Sequence, residues 1–176
     1  MKIGIDIDET IADAVDLIKE YMKKFDPNIP LEQIHNLPNE FWCTYGEEIY
    51  SKVEFKPWVK EAFVKLREIG HKIIIITARE FRKEYDIIKL TEDMFKRHNV
   101  IYDKIIYHSI PKGPDADKEG IDLFMDDLDH NLESVSSYNI DVIKIVEEYN
   151  NNSKYREFTN WNDLYLYIQL WGRENA

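Results

Sequence analysis

Two acids, Asp6 and Asp8, close an isoleucine-rich run at the start of the chain, in Ile3-Gly4-Ile5-Asp6-Ile7-Asp8-Glu9-Thr10. Two more, Asp126 and Asp127, follow another apolar run, and Thr77-Ala78-Arg79 ends a third. Carboxylates two residues apart on an extended segment point the same way. Joined by Asp126 or Asp127, they make a strongly negative pocket of oxygen donors. Such a pocket needs a cation, and hard oxygen ligands without His or Cys suit Mg2+. Thr77 and a lysine would add hydrogen-bond donors of the kind that the non-transferring oxygens of a phosphate require. A carboxylate in that setting can attack phosphorus and form an aspartyl-phosphate. The second carboxylate can protonate the leaving oxygen and later deprotonate water. Lys104, Lys112 and Lys118 all lie upstream of the acid pair; Lys118 is preferred, because Asp117-Lys118 stands close enough before Asp126 to return to the same rim. Arg79 either reaches a substrate or pairs with an acid such as Glu80 or Glu84.

These groups need a scaffold that gathers them. Five runs rich in Ile and Val, at 2–7, 71–77, 104–108, 122–125 and 141–146, read as strands buried on both faces. Helical stretches are predicted over about 57–69, 85–97 and 130–138. The first has Pro57 near its opening turn and Gly70 as its stop. Alternating strand and helix implies right-handed crossovers and an α/β fold: a five-stranded parallel sheet with helices on both faces. Ligands then bind beyond the carboxyl ends of the strands, where the acids, Thr77 and the lysine would converge. More than 60 residues separate the first two strands, so residues 14–56 are expected to form a small helical insert. Residues 161–171 are expected to form a closing helix, with Leu164, Ile168 and Trp171 at helical spacing.

Asp-x-Asp-x-Thr after the first strand, Thr after the second, a Lys, and Asp-Asp after the fourth together resemble the haloacid dehalogenase superfamily of phosphohydrolases. The resemblance implies a Rossmann-like core at 1–13 and 57–176, with a type-one cap at 14–56. It implies Asp6 as nucleophile and metal ligand, and Asp8 as acid/base whose backbone carbonyl also meets the metal. Thr77, Ala78 and Lys118 would bind phosphate. Asp127 would complete the Mg2+ shell, with Asp126 as the alternative or just behind it. The cap's size, Asp117-Lys118 and Asp126-Asp127-x-x-x-Asn131 are similar to the cytosolic 5'(3')-deoxyribonucleotidases and their bacterial relatives. That narrower likeness implies a phosphomonoesterase acting on nucleoside monophosphates. Hydrolysis of a sugar phosphate, phosphotransfer to an alcohol, and a non-catalytic metal- or phosphate-binding relative are the competing readings.

The remaining features narrow the partners. With 34 acidic against 23 basic residues and a net charge of -11, a nucleic-acid backbone or an anionic membrane is a poor partner. A single cysteine, Cys43, permits no internal disulfide, and no apolar run reaches the length of a membrane span. A cytoplasmic location is the expectation, and self-association is left open. The five histidines are scattered without metal-ligand spacing. Phe41, Trp42, Tyr45 and Tyr50 either form the insert's own small core or stack on a base. A phospho-accepting receiver domain would need a carboxylate after the third strand, where this chain has His108-Ser109-Ile110-Pro111.

Overall fold

The computed structural model describes residues 1–146, 150 and 153–174. Its elements run β1 (Lys2–Ile5), β2 (Ala12–Asp13), α1 (Val15–Phe25), α2 (Asn39–Lys52), β3 (Glu54–Phe55), α3 (Val59–Glu68), β4 (Lys72–Ile76), α4 (Ile87–His98), β5 (Lys104–Ile106), α5 (Gly113–Glu119), β6 (Leu123–Asp126), α6 (Asp129–Ser136), β7 (Asp141–Ile145), β8 (Arg156–Phe158) and α7 (Trp161–Glu174). A short 3-10 turn at Leu31–Asn36 joins α1 to α2. Among the described residues, no helix is long and apolar enough to cross a membrane.

The main sheet is parallel throughout, in the order β5-β4-β1-β6-β7-β8. It has six strands rather than the five expected. The addition, β8, lies at the outer edge and is three residues long, two of them charged. Nothing in its side chains marks a buried strand, and only its backbone pairing with β7 makes it one. Side-chain alternation divides the core cleanly. Ile73 and Ile75 of β4 pack on one face with Phe63, Leu66, Met94, Phe95, Trp161 and Leu164, which belong to α3, α4 and α7. Ile74 and Ile76 pack on the other with Ala116, Leu132 and Val135 of α5 and α6.

The insert has a separate apolar centre. Tyr21, Met22, Phe41 and Ile49 are buried together between α1 and α2, with Phe25, Leu37 and Tyr45 around them. Its two ends are tied side by side as the antiparallel pair β2 and β3, with Ala12 opposite Phe55. Arg97 at the end of α4 donates to the Ser51 and Val53 carbonyls, which holds the returning end against the core. The body of α2 meets the core at Gly46, where a Cβ would stand 2.3 Å from the Tyr85 hydroxyl. Tyr85 is buried, so a side chain at 46 has to push α2 outward. Gly46→Ala is therefore expected to destabilise the protein by about 1–3 kcal/mol, read as a lowered midpoint in thermal or urea unfolding. An unchanged midpoint would show that this contact yields freely.

Candidate active site

The first acid is held on the sheet. Its backbone N–H donates to the Met125 carbonyl (3.0 Å), continuing the β1–β6 ladder one residue past β1. The chain then turns abruptly, and the amides of Thr10, Ile11 and Ala12 all donate to the Ile7 carbonyl at 2.9–3.3 Å. Glu9 takes the left-handed conformation that such a turn requires (φ 57°). Its buried carboxylate accepts from the Ala14 amide (3.0 Å) at the entrance to α1. Burial pushes the Glu9 carboxyl up to about 7, with the Ala14 amide and Lys56 opposing. The turn is fastened from outside by Trp161, whose indole N–H donates to the Thr10 carbonyl (2.9 Å).

Across the rim stands Lys112. Its Nζ lies 2.5 Å from Asp6 Oδ1 and 2.6 Å from Asp126 Oδ2, with only 1% of its side chain exposed. Burial works against its charge, but the Asp126 and Asp6 carboxylates more than reverse this and raise its affinity for a proton. The placement comes from the residue that follows. The Gly113 amide donates to Ser134 Oγ (3.0 Å), and a Cβ on Gly113 would fall 2.5 Å from the Ser134 carbonyl oxygen. Only glycine lets the start of α5 press against α6 so closely.

Asp126 has both oxygens engaged. Oδ2 meets Lys112, while Oδ1 accepts from the Leu128 amide (2.9 Å) and Asn131 Nδ2 (3.0 Å). Asp127 lines the cavity above, and one carboxylate oxygen from each of Asp6, Asp126 and Asp127 lies within 4.8 Å of the others. Three carboxylates against one ammonium leave a formal charge of -2, and all the donors are oxygens, which fits a hard divalent cation. Burial pushes the Asp6 carboxyl up to about 7; Lys112 opposes this, and Asp126 and Asp8 add to it.

Asp8 belongs to a different grouping. Arg79 grips it with two parallel bonds, Nη2 to Oδ1 at 2.6 Å and Nε to Oδ2 at 3.0 Å. Thr77 is fully buried, and its Oγ1 accepts from the Arg79 amide (3.2 Å), so it shapes the turn whose next residues, Ala78 and Arg79, line the cavity. That cavity has a volume of about 430 Å3, with Asp6, Asp8, Asp127 and Lys112 at its floor. Ile18, Ile34, Ile49, Trp42 and Tyr50 of the insert form part of its wall. Trp42 and Tyr50 stack on each other (centroids 5.9 Å apart, planes at 21°), whereas Phe41 lies in the insert's core.

Two expectations are corrected by this geometry. Lys118 is exposed in the last turn of α5, and Lys112, one residue before that helix, occupies the rim. The stretch before β6 is a helix that leads away from the rim, and six residues of helix carry Lys118 about 9 Å along its axis. Gly113-Pro114, with Pro in the first helical turn, is the signal in the sequence for that helix start. Arg79 pairs with Asp8 instead of Glu80 or Glu84. Of the histidines, His35 has its side chain outside the described residues.

A central parallel sheet with acids at its carboxyl edge, under a helical insert that follows the first strand, is the fold of haloacid dehalogenase-superfamily hydrolases. Three solved structures share it over almost their whole length. A superfamily hydrolase from Ehrlichia chaffeensis aligns with a TM-score of 0.61 at 13% identity, covering 96% of each chain. A haloacid dehalogenase-like protein from Streptococcus pneumoniae reaches 0.66 at 14% identity, covering 96% of this chain and 98% of the other. "A predicted phosphoglycolate phosphatase" from Haemophilus somnus reaches 0.67 at 17% identity, covering 95% and 96%. In sequence, the chain is 24% identical to a "Putative nucleotidase" of Oceanobacillus iheyensis, over 93% of this chain and 97% of that protein. No family model matches the chain.

Lys112→Met leaves Asp6 and Asp126 without their shared cation and is expected to cost about 3–5 kcal/mol of stability. Lys118→Met is expected to stay within about 0.5 kcal/mol of the parent. Urea unfolding of the two variants measures the difference; equal midpoints would contradict the assignment of Lys112 to the rim.

Proposed function

We propose that the chain is a Mg2+-dependent phosphomonoesterase that works through an aspartyl-phosphate on Asp6. The observation that carries this reading is Lys112 held between Asp6 and Asp126, with an Asp127 oxygen within 4.8 Å of theirs, at the floor of a cavity that Asp8 also lines. Asp6 is the nucleophile: its Oδ2 is the oxygen not facing Lys112, and it forms the bond to phosphorus as the ester oxygen departs. Lys112 screens charge on the phosphoryl oxygens, and the Thr77-Ala78 turn shapes the wall on which they rest. Asp8 gives a proton to the leaving oxygen, then takes one from the water that opens the aspartyl-phosphate. Asp6 and Asp127 would hold the Mg2+, together with the Asp8 carbonyl, and Asp126, already saturated with hydrogen bonds, would stand behind them. When bound, that ion would neutralise the phosphate and favour its capture by a carboxylate.

We read the substrate as a nucleoside monophosphate, which makes the activity that of a 5'-nucleotidase. The support is the cap wall, where Trp42 presents aromatic surface among isoleucines, and the cavity's volume, which lies in the range that accepts a small molecule. The likeness to a protein named as a nucleotidase points the same way.

Purified protein with Mg2+ is expected to release phosphate from nucleoside monophosphates faster than from sugar phosphates. EDTA is expected to abolish release, and Asp6→Asn to lower the rate at least about a thousandfold. An inactive protein across such a panel, or an active Asp6→Asn, sinks the reading. Cation affinity is also expected to depend on pH. Below about 7 a proton occupies Asp6 and competes with the ion; above it the carboxylate is free. One competing proton makes Mg2+ binding about tenfold weaker at pH 6 than at pH 8, measurable by calorimetry; equal affinities at the two pH values would refute the competition.

A further inference from the structure

Arg79 has no part in the chemistry described so far, yet it is the most heavily engaged cation in the cavity wall. Its amide donates to Thr77 Oγ1, and its carbonyl accepts from the His108 amide (3.2 Å), which fixes the backbone at two strand ends. Nη1 donates to Thr91 Oγ1 (2.9 Å), and that hydroxyl donates to the Ile87 carbonyl (2.7 Å), anchoring the guanidinium to the first turns of α4. The face of Tyr50, from α2 of the cap, covers the guanidinium, with the ring centroid 4.6 Å from Cζ. The remaining edge holds Asp8. The arginine side chain is 1% exposed and the aspartate 40%. A cation this enclosed presents little of itself to a substrate, while the acid it grips stays open to the cavity.

We infer that Arg79 is a positioning residue: its bidentate grip, closed by the Tyr50 ring, orients the Asp8 carboxyl toward the leaving oxygen of the ester. The inference rests on the phosphomonoesterase reading of the site. A carboxyl group offers about four lone-pair positions, and a guanidinium fork occupies two of them. The outward positions stay open for the proton to be passed to the leaving oxygen. As Asp6 bonds to phosphorus, the ester P–O bond breaks and its electron pair takes that proton, releasing an alcohol and leaving Asp8 as carboxylate. A lysine at 79 keeps the charge but has no fork, so the carboxyl can rotate. Tyr50 supplies the part of the hold that depends on the cap.

The test compares two esters of the same phosphate. An alkyl alcohol needs the proton in order to leave; p-nitrophenol departs as a stable anion without it. The measured quantity is the rate of alcohol release in the first turnover after rapid mixing with Mg2+ present, before water attacks the aspartyl-phosphate. Arg79→Lys is expected to slow release from the alkyl ester at least tenfold and from the nitrophenyl ester no more than about threefold, with KM within twofold for both. Tyr50→Leu is expected to show the same selectivity with a smaller loss, and it decides the matter if Arg79→Lys does not fold. Equal losses on the two esters, a change confined to KM, or no change on either would overturn the inference. The parent reading is judged apart, because it fails only if the unsubstituted protein releases no phosphate or Asp6→Asn remains active.

Discussion

The ammonium of Lys112 lies within 2.6 Å of two buried carboxylates, and the arrangement of the whole rim follows from that contact. Asp6, Asp126 and Asp127 bring oxygens within 4.8 Å of one another. At that distance, with the effective dielectric of a partly buried site, each pair of charges repels by roughly 3 kcal/mol. One lysine meets two of these acids, and the four groups together carry a formal charge of -2. A divalent ion has the matching charge and the preference for oxygen to offset it. Burial, with Asp126 and Asp8 adding to it against Lys112, keeps the Asp6 carboxyl near 7, which couples cation binding to proton release.

The fold serves this contact by bringing distant segments to one edge. Asp6 ends β1, Asp126 ends β6, and these strands are hydrogen-bonded neighbours at the centre of the sheet. Lys112 reaches them from the loop after β5, and its position is fixed by the glycine that seats α5 on α6. Beyond Asp6 the chain must leave the sheet at once, and the carbonyl of Ile7 does this by accepting three amides in one turn. The indole of Trp161 clamps the turn from the far end of the chain. The insert enters and leaves through the paired strands β2 and β3, so it is fastened next to Asp6 and its aromatic wall faces the same cavity.

Much of this could be read from the residues alone. Unbroken isoleucine runs mark strands buried on both faces, and the acids at their ends mark the rim where a parallel sheet exposes ligand-binding groups. The long interval between the first two strands announced the insert. What escaped was governed by backbone geometry. β8 is a strand by hydrogen bonding rather than by side chains. Distance along the chain favours Lys118 over Lys112, and the short helix α5 reverses that order in space. Arg79 has acids nearby in sequence, but its partner lies 71 residues away on another strand end, where only the pairing of β1 with β4 brings it. Glu9 serves the entrance to α1, a role visible only once the turn after Asp8 is seen.

The proposed chemistry requires an oxygen of Asp6 to bond to phosphorus, with Lys112 and Asp8 arranged around it. The most direct test is to quench the enzyme in acid during turnover, reduce the trapped acyl phosphate with borohydride and locate the modified residue by peptide mass spectrometry. Asp6, and no other carboxylate, is expected to be converted to homoserine. Modification of Asp8, Asp126 or Asp127, or rapid phosphate release with no modified aspartate, would contradict it.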